Sequence, residues 1–222
     1  MSTKAKREPF SVKDCALVTI ATGKMAQNLK EMREHLLNIH LGSIYYHFWG
    51  GLLRPRFDEP EYNNDFAEWV HHALQDNILA ERLSVIDPDP FVNLESLRHE
   101  LLEVIDQRLD EIGTLTWANP DMQFHFVRAQ MVVFDTRGKI EEPEELVEAV
   151  SKMSVGSIFY HFIDARRRSP EMMDDFRAWL RSCGHEDLCS QVAAVDPYFG
   201  SLEELRTQLT NLFAHYFRRV SG

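Results

Sequence analysis

The chain has 222 residues, 44% hydrophobic and 27% charged, ordinary values for a globular protein and wrong for a disordered one. Its 24 basic and 35 acidic side chains leave a net charge of −11. That excludes sequence-independent nucleic-acid binding and an anionic membrane surface as main partners, since both need a surplus of cations.

In chain order, the opening segment (Met1 to Phe10) is charged and lacks the apolar core of a signal peptide. Leu17-Val18-Thr19-Ile20 reads as a strand closing at the turn signal Thr22-Gly23. Leu29, Met32, Leu36 and Ile39 then keep helical spacing until Gly42 breaks the run. A Tyr-His helix is expected over residues 43–54. A third helix begins after Asn64-Asp65, with Asp65 read as its N-cap, Glu68 completing a capping box, and Trp69 in the core. A fourth covers residues 79–86 and stops at Asp87-Pro88, because proline lacks the amide and restricts its predecessor. Leu94, Leu97, Leu101, Val104, Ile105 and Leu109 give the last helix a broad apolar face.

The chain then repeats itself. Gly42-Ser43-Ile44-Tyr45-Tyr46-His47-Phe48 returns as Gly156-Ser157-Ile158-Phe159-Tyr160-His161-Phe162. Asp65-Phe66 and Trp69 return as Asp175-Phe176 and Trp179, and Asp87-Pro88 as Asp196-Pro197. The order is kept throughout, which reads as a tandem duplication. The units are residues 10–113 and 124–217, joined by a Gly/Thr/Asn/Pro linker at 114–123. The second unit opens with an aromatic and β-branched strand, residues 124–134, ending at the turn signal Asp135-Thr136-Arg137-Gly138. Its last helix starts at a capping box, Ser201 with Glu204. A lone strand leaves its edges unsatisfied, so the two opening strands are expected to pair with each other. The fold class is mainly α with a small β-sheet (α+β), two similar units related by pseudo-twofold symmetry.

On the Tyr-His helix, Ser43, His47 and Arg54 share a face with Tyr46 beside it; the counterparts are Ser157, His161, Asp164, Arg168 and Tyr160. Asp164, three residues after His161 and four before Arg168, could orient the imidazole; Gly50 stands in its place in the first copy. Two readings follow. In one, both stripes, with Arg56, Arg166 and Arg167, line a groove between the repeats, where arginine forks and tyrosines suit an anionic or polyhydroxyl ligand. In the other, tyrosine and histidine are packed with satisfied hydrogen bonds and have no ligand.

No metal or cofactor is expected. Glu68 and His71 have a di-iron spacing, but the second copy has Ala178 and Arg181 there. Cys183, His185 and Cys189 make a poor zinc set, and no phosphate-loop or serine-elbow motif occurs. Three sparse cysteines and no apolar run of ~20 residues point to a cytoplasmic, disulfide-free protein.

The strand, the Thr-Gly-Lys turn (Thr22 to Lys24), the Gly-Ser-Ile-Tyr-Tyr-His-Phe segment and Asn64-Asp65-Phe66-x-x-Trp69 together resemble an uncharacterised bacterial and archaeal family, a domain of unknown function. The resemblance covers nearly the whole chain and implies the same two-copy plan. It implies no activity, cofactor or substrate. It does associate such chains with carbohydrate-active enzymes such as glycosyltransferases, which is not a mechanism. Asp174 in place of Asn64, and the arginine run 166–168, argue against equal use of the two halves. The function expected is a non-enzymatic binding or regulatory module, monomer or homodimer, for a partner protein or an anionic or carbohydrate-like metabolite. The alternatives are an enzyme using His161 as acid/base on a sugar or phosphorylated metabolite, and a purely structural scaffold.

Overall fold

The computed structural model describes residues 8–54, 61–114, 116–198 and 200–221. Two long strands, β1 (Phe10–Ala26) and β2 (Phe124–Ile140), pair with each other in a two-stranded antiparallel sheet. The Thr22 hydroxyl donates to the Phe126 carbonyl at 2.5 Å, and the Thr136 hydroxyl to the Val12 carbonyl at 2.5 Å. Both strands run past the turns expected to end them. At Gly23 (φ +74°) and Arg137 (φ +61°) the backbone is left-handed. There Thr22 and Thr136 each accept the amide two residues on, at 3.2 Å, so the Thr-Gly-Lys signal kinks a strand and the ladder resumes.

The chain packs as two compact units. The first is Leu17–Met131; the second combines the described residues up to Ala16 with those from Val132 onward. These boundaries differ from the sequence repeats 10–113 and 124–217 at the strands. Each unit takes its helices from one repeat and half of each strand.

In the first unit the helices are α1 (Leu29–Leu36), α2 (Leu41–Trp49), α3 (Asp65–Trp69), α4 (Asn77–Ser84) and α5 (Leu94–Glu111). A 3₁₀ turn (Gly50–Leu53) follows α2, and a π-helical turn (Val70–Leu74) extends α3. The apolar face of α5 is the post on which α1, α2 and α4 pack, with Leu97, Leu101 and Ile105 buried on α5 and Met32, Leu36, Ile44, Leu79 and Leu83 buried on the other three. In the second unit they are α6 (Leu146–Lys152), α7 (Val155–Ile158), α8 (Ala165–Arg168), α9 (Asp175–Ser182), α10 (Glu186–Ala193) and α11 (Leu202–Ser221), with a π-helical turn (Phe159–Asp164) between α7 and α8. Here α11 is the post for α6, α7 and α10. The expected Ser201–Glu204 box precedes it: the Ser201 hydroxyl accepts the Glu204 amide at 3.2 Å, and Glu204 accepts the Ser201 amide at 2.8 Å.

One glycine in each copy of the repeated motif has a steric reason. A Cβ on Gly42 would come within 2.7 Å of the Ala129 carbonyl, and one on Gly156 would collide with Asp14 and the Cys15 carbonyl. Glycine lets a strand pass across the start of α2 and of α7.

Because each unit borrows strand from the other repeat, cutting the linker should not release two stable halves. Residues 1–113 and 114–222, made separately, are expected to lack a cooperative thermal transition by circular dichroism, and an equimolar mixture to recover one. Two independent transitions would contradict the shared strands.

Candidate functional site

The repeated motifs converge on one device in each unit. In the first, the His47 imidazole lies 4.7 Å from the Phe124 ring and 5.3 Å from Phe66. Its Nε2 accepts the Val127 backbone N–H at 3.1 Å, and its Nδ1 meets Asp65 Oδ2 at 2.8 Å. An amide can only donate, so Nε2 carries no proton and the Nδ1–H donates to Asp65. Ser43 adds a hydroxyl bond to the Val127 carbonyl at 2.7 Å, and Trp69 Nε1 donates to the Met122 carbonyl at 2.7 Å.

The second unit repeats the pattern. His161 Nε2 accepts the Lys13 amide at 2.9 Å, its Nδ1 meets Asp175 Oδ2 at 2.8 Å, and its ring lies 4.7 Å from Phe10. Trp179 Nε1 donates to the Glu8 carbonyl at 3.1 Å. Each histidine clips a strand backbone to a helix, and both of its nitrogens are spent.

Two expectations are corrected here. Asp65 and Asp175 are not the N-caps. Asn64 and Asp174 are, accepting the amides of Ala67 at 2.9 Å and Arg177 at 2.8 Å. The aspartates one residue later are thereby freed to reach the imidazoles. Nor does Asp164 orient His161, a task that Asp175 performs. Asp164 sits at the end of the π-helical turn and takes Arg167 at 2.9 Å and Arg168 at 2.8 Å. Burial opposes the charge on Asp175, but the His161 hydrogen bond and the Arg168 guanidinium outweigh it and hold its carboxyl below the ordinary range.

The predicted residues divide between the units. Ser43, Tyr46, His47 and Arg54 belong to the first, and Ser157, Tyr160, His161, Asp164 and Arg168 to the second. Ser43, His47, Ser157, His161 and Asp164 are buried, as are the rings of Tyr46 and Tyr160. Arg56 lies outside the described residues.

Within the first unit an open cleft of about 490 Å³ lies beside the His47 clip. Tyr46, Arg54, Asp65 and Trp69 line it from the first repeat, and Met122, Gln123, Phe124 and His125 from the linker and the start of β2. Glu68 and His72, one turn apart, complete the wall. Arg54 stacks over Tyr46 (4.6 Å to the ring centre), donates to the Tyr46 hydroxyl, and stands 3.8 Å from Asp65. His72, Gln123 and His125 carry no expectation from the sequence, and Glu68, expected to complete a capping box, makes no such bond among the described residues. The signal available in the sequence is the i, i+4 spacing of Glu68 and His72. His71, which shares the di-iron spacing with Glu68, instead bonds the Tyr62 hydroxyl at 3.0 Å. No group of three or more candidate metal ligands occurs among the described residues.

The sequence matches the family of unknown function DUF5752 over residues 7–214, and the chain belongs to that family. It is similar to the solved structure of OrfY from Thermoproteus tenax, with 27% identity, a TM-score of 0.81, and coverage of 95% of this chain and 96% of that one. No curated protein matches. No helix among the described residues is long and apolar enough to cross a membrane.

The clips and caps set the pH dependence of stability. Burial pushes His47 below its ordinary value, with the Asp65 hydrogen bond only partly opposing. A depressed folded value means full stability above about pH 6.5, lost as pH falls through the folded value. Asp174 works the other way. Asn64 gives its side-chain amide to the Leu83 carbonyl at 3.0 Å, whereas Asp174 is fully buried with Oδ2 lacking a hydrogen bond and Arg177 3.7 Å away. Burial, partly offset by the Arg177 amide and the nearby Arg166 and Arg177 guanidiniums, raises its carboxyl to about 6. An acid raised on folding imposes its full penalty on the native state above that pH, and the penalty fades as pH falls from there towards the ordinary value of 3.8. Asp174→Asn should therefore raise stability at pH 7.5 by about 1–3 kcal/mol in urea unfolding. In that background the urea midpoint should fall from pH 7 to pH 5, and His47→Gln should flatten the fall while costing about 2–4 kcal/mol at pH 7.5.

Proposed function

We propose that this family member is a non-enzymatic binding module that takes a small anionic or polyhydroxyl metabolite in the first unit's cleft. The observation that carries this is a set of convergent polar side chains without internal partners. Among the described residues, Glu68, His72, Gln123 and His125 make no side-chain hydrogen bond, and all four face the cleft beside Arg54. Gln123 is half-buried and Glu68, His72 and His125 are exposed at the cleft, so their donors and acceptors meet solvent and are open to a molecule bound in that concavity. The cleft volume falls within the ~300–1,000 Å³ typical of small-molecule sites.

The geometry weighs against the acid/base alternative. A general base needs a lone pair directed at substrate, and the Nε2 lone pairs of His47 and His161 are taken by strand amides. A purely structural scaffold explains the clips but does not call for the concavity beside them, lined by Arg54, Glu68, His72, Gln123 and His125.

Thermal-shift screening followed by calorimetry tests the reading, using neutral sugars, sugar phosphates, sugar acids and nucleotides. A ligand at 100 times its Kd should stabilise the fold by about 2.7 kcal/mol. Arg54→Ala should weaken that ligand at least about tenfold, and Arg168→Gln should leave its affinity unchanged. Equal losses in both variants, or no binding by any class, would count against the cleft.

A further inference from the structure

Resting on the reading of the cleft as a binding site, we infer that its ligand carries a carboxylate or phosphate seated on Arg54, and that Asp164 is the tethered counterpart of that group in the second unit. The two matched arginines are set in different surroundings. Arg168 gives Nε to Asp164 Oδ2 at 2.8 Å, and Nη2 to the Tyr160 carbonyl at 2.9 Å and Asp175 at 3.1 Å, with its guanidinium 4.0 Å over the Tyr160 ring. Its fork is full. Arg54 keeps the aromatic seat on Tyr46, but only Nη2 is used, and Nε and Nη1 have no partner among the described residues. Its side chain is 46% exposed against 34% for Arg168, so bonding separates the two more than access does.

The difference lies at one position. Gly50 matches Asp164 in the repeat, and a Cβ on Gly50 would come within 2.6 Å of the Tyr46 ring. The first unit cannot supply its own acid there without displacing Tyr46, and Asp65 is already committed to His47. Nη2 carries two N–H groups and Tyr46 takes one, so one edge of the guanidinium, Nη2 with Nε or with Nη1, stays open to a carboxylate or phosphate oxygen pair.

The rest of the wall narrows the class. Asp65 and Glu68 repel a ligand that is anionic throughout but accept from hydroxyls, and Gln123, His72 and His125 can do either. The ligand is thus an anion at one end and hydroxylated over the remainder. The positions matching Glu68, His72, Gln123 and His125 in the second unit are Ala178, Ser182, Pro9 and Ser11. That copy has no carboxylate, imidazole or side-chain amide at those positions and its arginine is bound to Asp164 and Asp175, so each chain takes one ligand.

Arginine modification by phenylglyoxal, mapped by peptide mass spectrometry, tests this on the intact protein. Without ligand, Arg54 should react about tenfold faster than Arg168, as expected when charge-assisted bonds hold only one of them. A hexose phosphate or a hexuronate at saturation should slow Arg54 about tenfold and leave Arg168 unchanged, the two arms separating phosphate from carboxylate. The neutral hexose should not protect. Asp164→Asn, with its fold checked by circular dichroism, should bring Arg168 up towards the rate of Arg54. Equal reactivity of the two arginines in the unmodified chain overturns the inference. Protection by the neutral hexose, with calorimetry giving one site, leaves the cleft as a binding site and removes the anion. No heat and no protection with any of the three removes both.

Discussion

A neutral imidazole accepting a strand amide through Nε2 while giving its Nδ1–H to an aspartate is the contact on which the rest of this structure depends. It occurs once in each unit, at His47 with Asp65 and at His161 with Asp175. A strand buried on helices needs its inward amides satisfied, and a neutral acceptor does so without burying a charge. Imidazole held by a carboxylate on its far side meets that need. The surrounding residues serve the same end. Glycine admits the strand, Phe66 and Phe176 cover the ring, and an indole fixes the backbone a few residues upstream. The two repeated motifs, separate in sequence, are the two jaws of one grip.

That view explains which features were legible beforehand. Helices with periodic apolar faces, the mostly α class, the pairing of the two strands and the capping box at Ser201 follow from local rules that tertiary packing did not overturn. The strand ends were misjudged because Gly23 and Arg137 adopt left-handed backbone inside a ladder, which resembles a turn signal when read locally. The N-caps were misplaced by one residue for a similar reason. Asn64-Asp65 and Asp174-Asp175 each offer two good capping side chains, and only the position of the imidazole decides which one caps.

The site was legible in part. The Tyr-His-Arg stripe was found, and so was the break in symmetry at Gly50 and Asp164. Its meaning was not, because Asp164 was assigned to the nearest histidine along the helix and the partner that wins comes from α9. His125 and Gln123 could not be linked to Arg54 at all. They lie in the linker and the second strand, and only the exchange of strands between repeats brings them to the first unit. Arg54 and Arg168 show how two matched motifs differ: Arg168 pairs with Asp164, and the position matching Asp164 in the first motif is Gly50.

The interleaving of β1 has a consequence for biosynthesis. Its leading half, Phe10–Ala16, belongs with residues from Val132 onward, so it leaves the ribosome long before its helices exist. The trailing half of the same strand must wait for residues 124–131. Until then the nascent chain presents an open edge rich in Val, Ile and Leu, the kind of surface that seeks any available strand. Synthesis of this protein therefore passes through a stage in which β1 exists without its partner, and that stage closes once residues 124–140 have emerged.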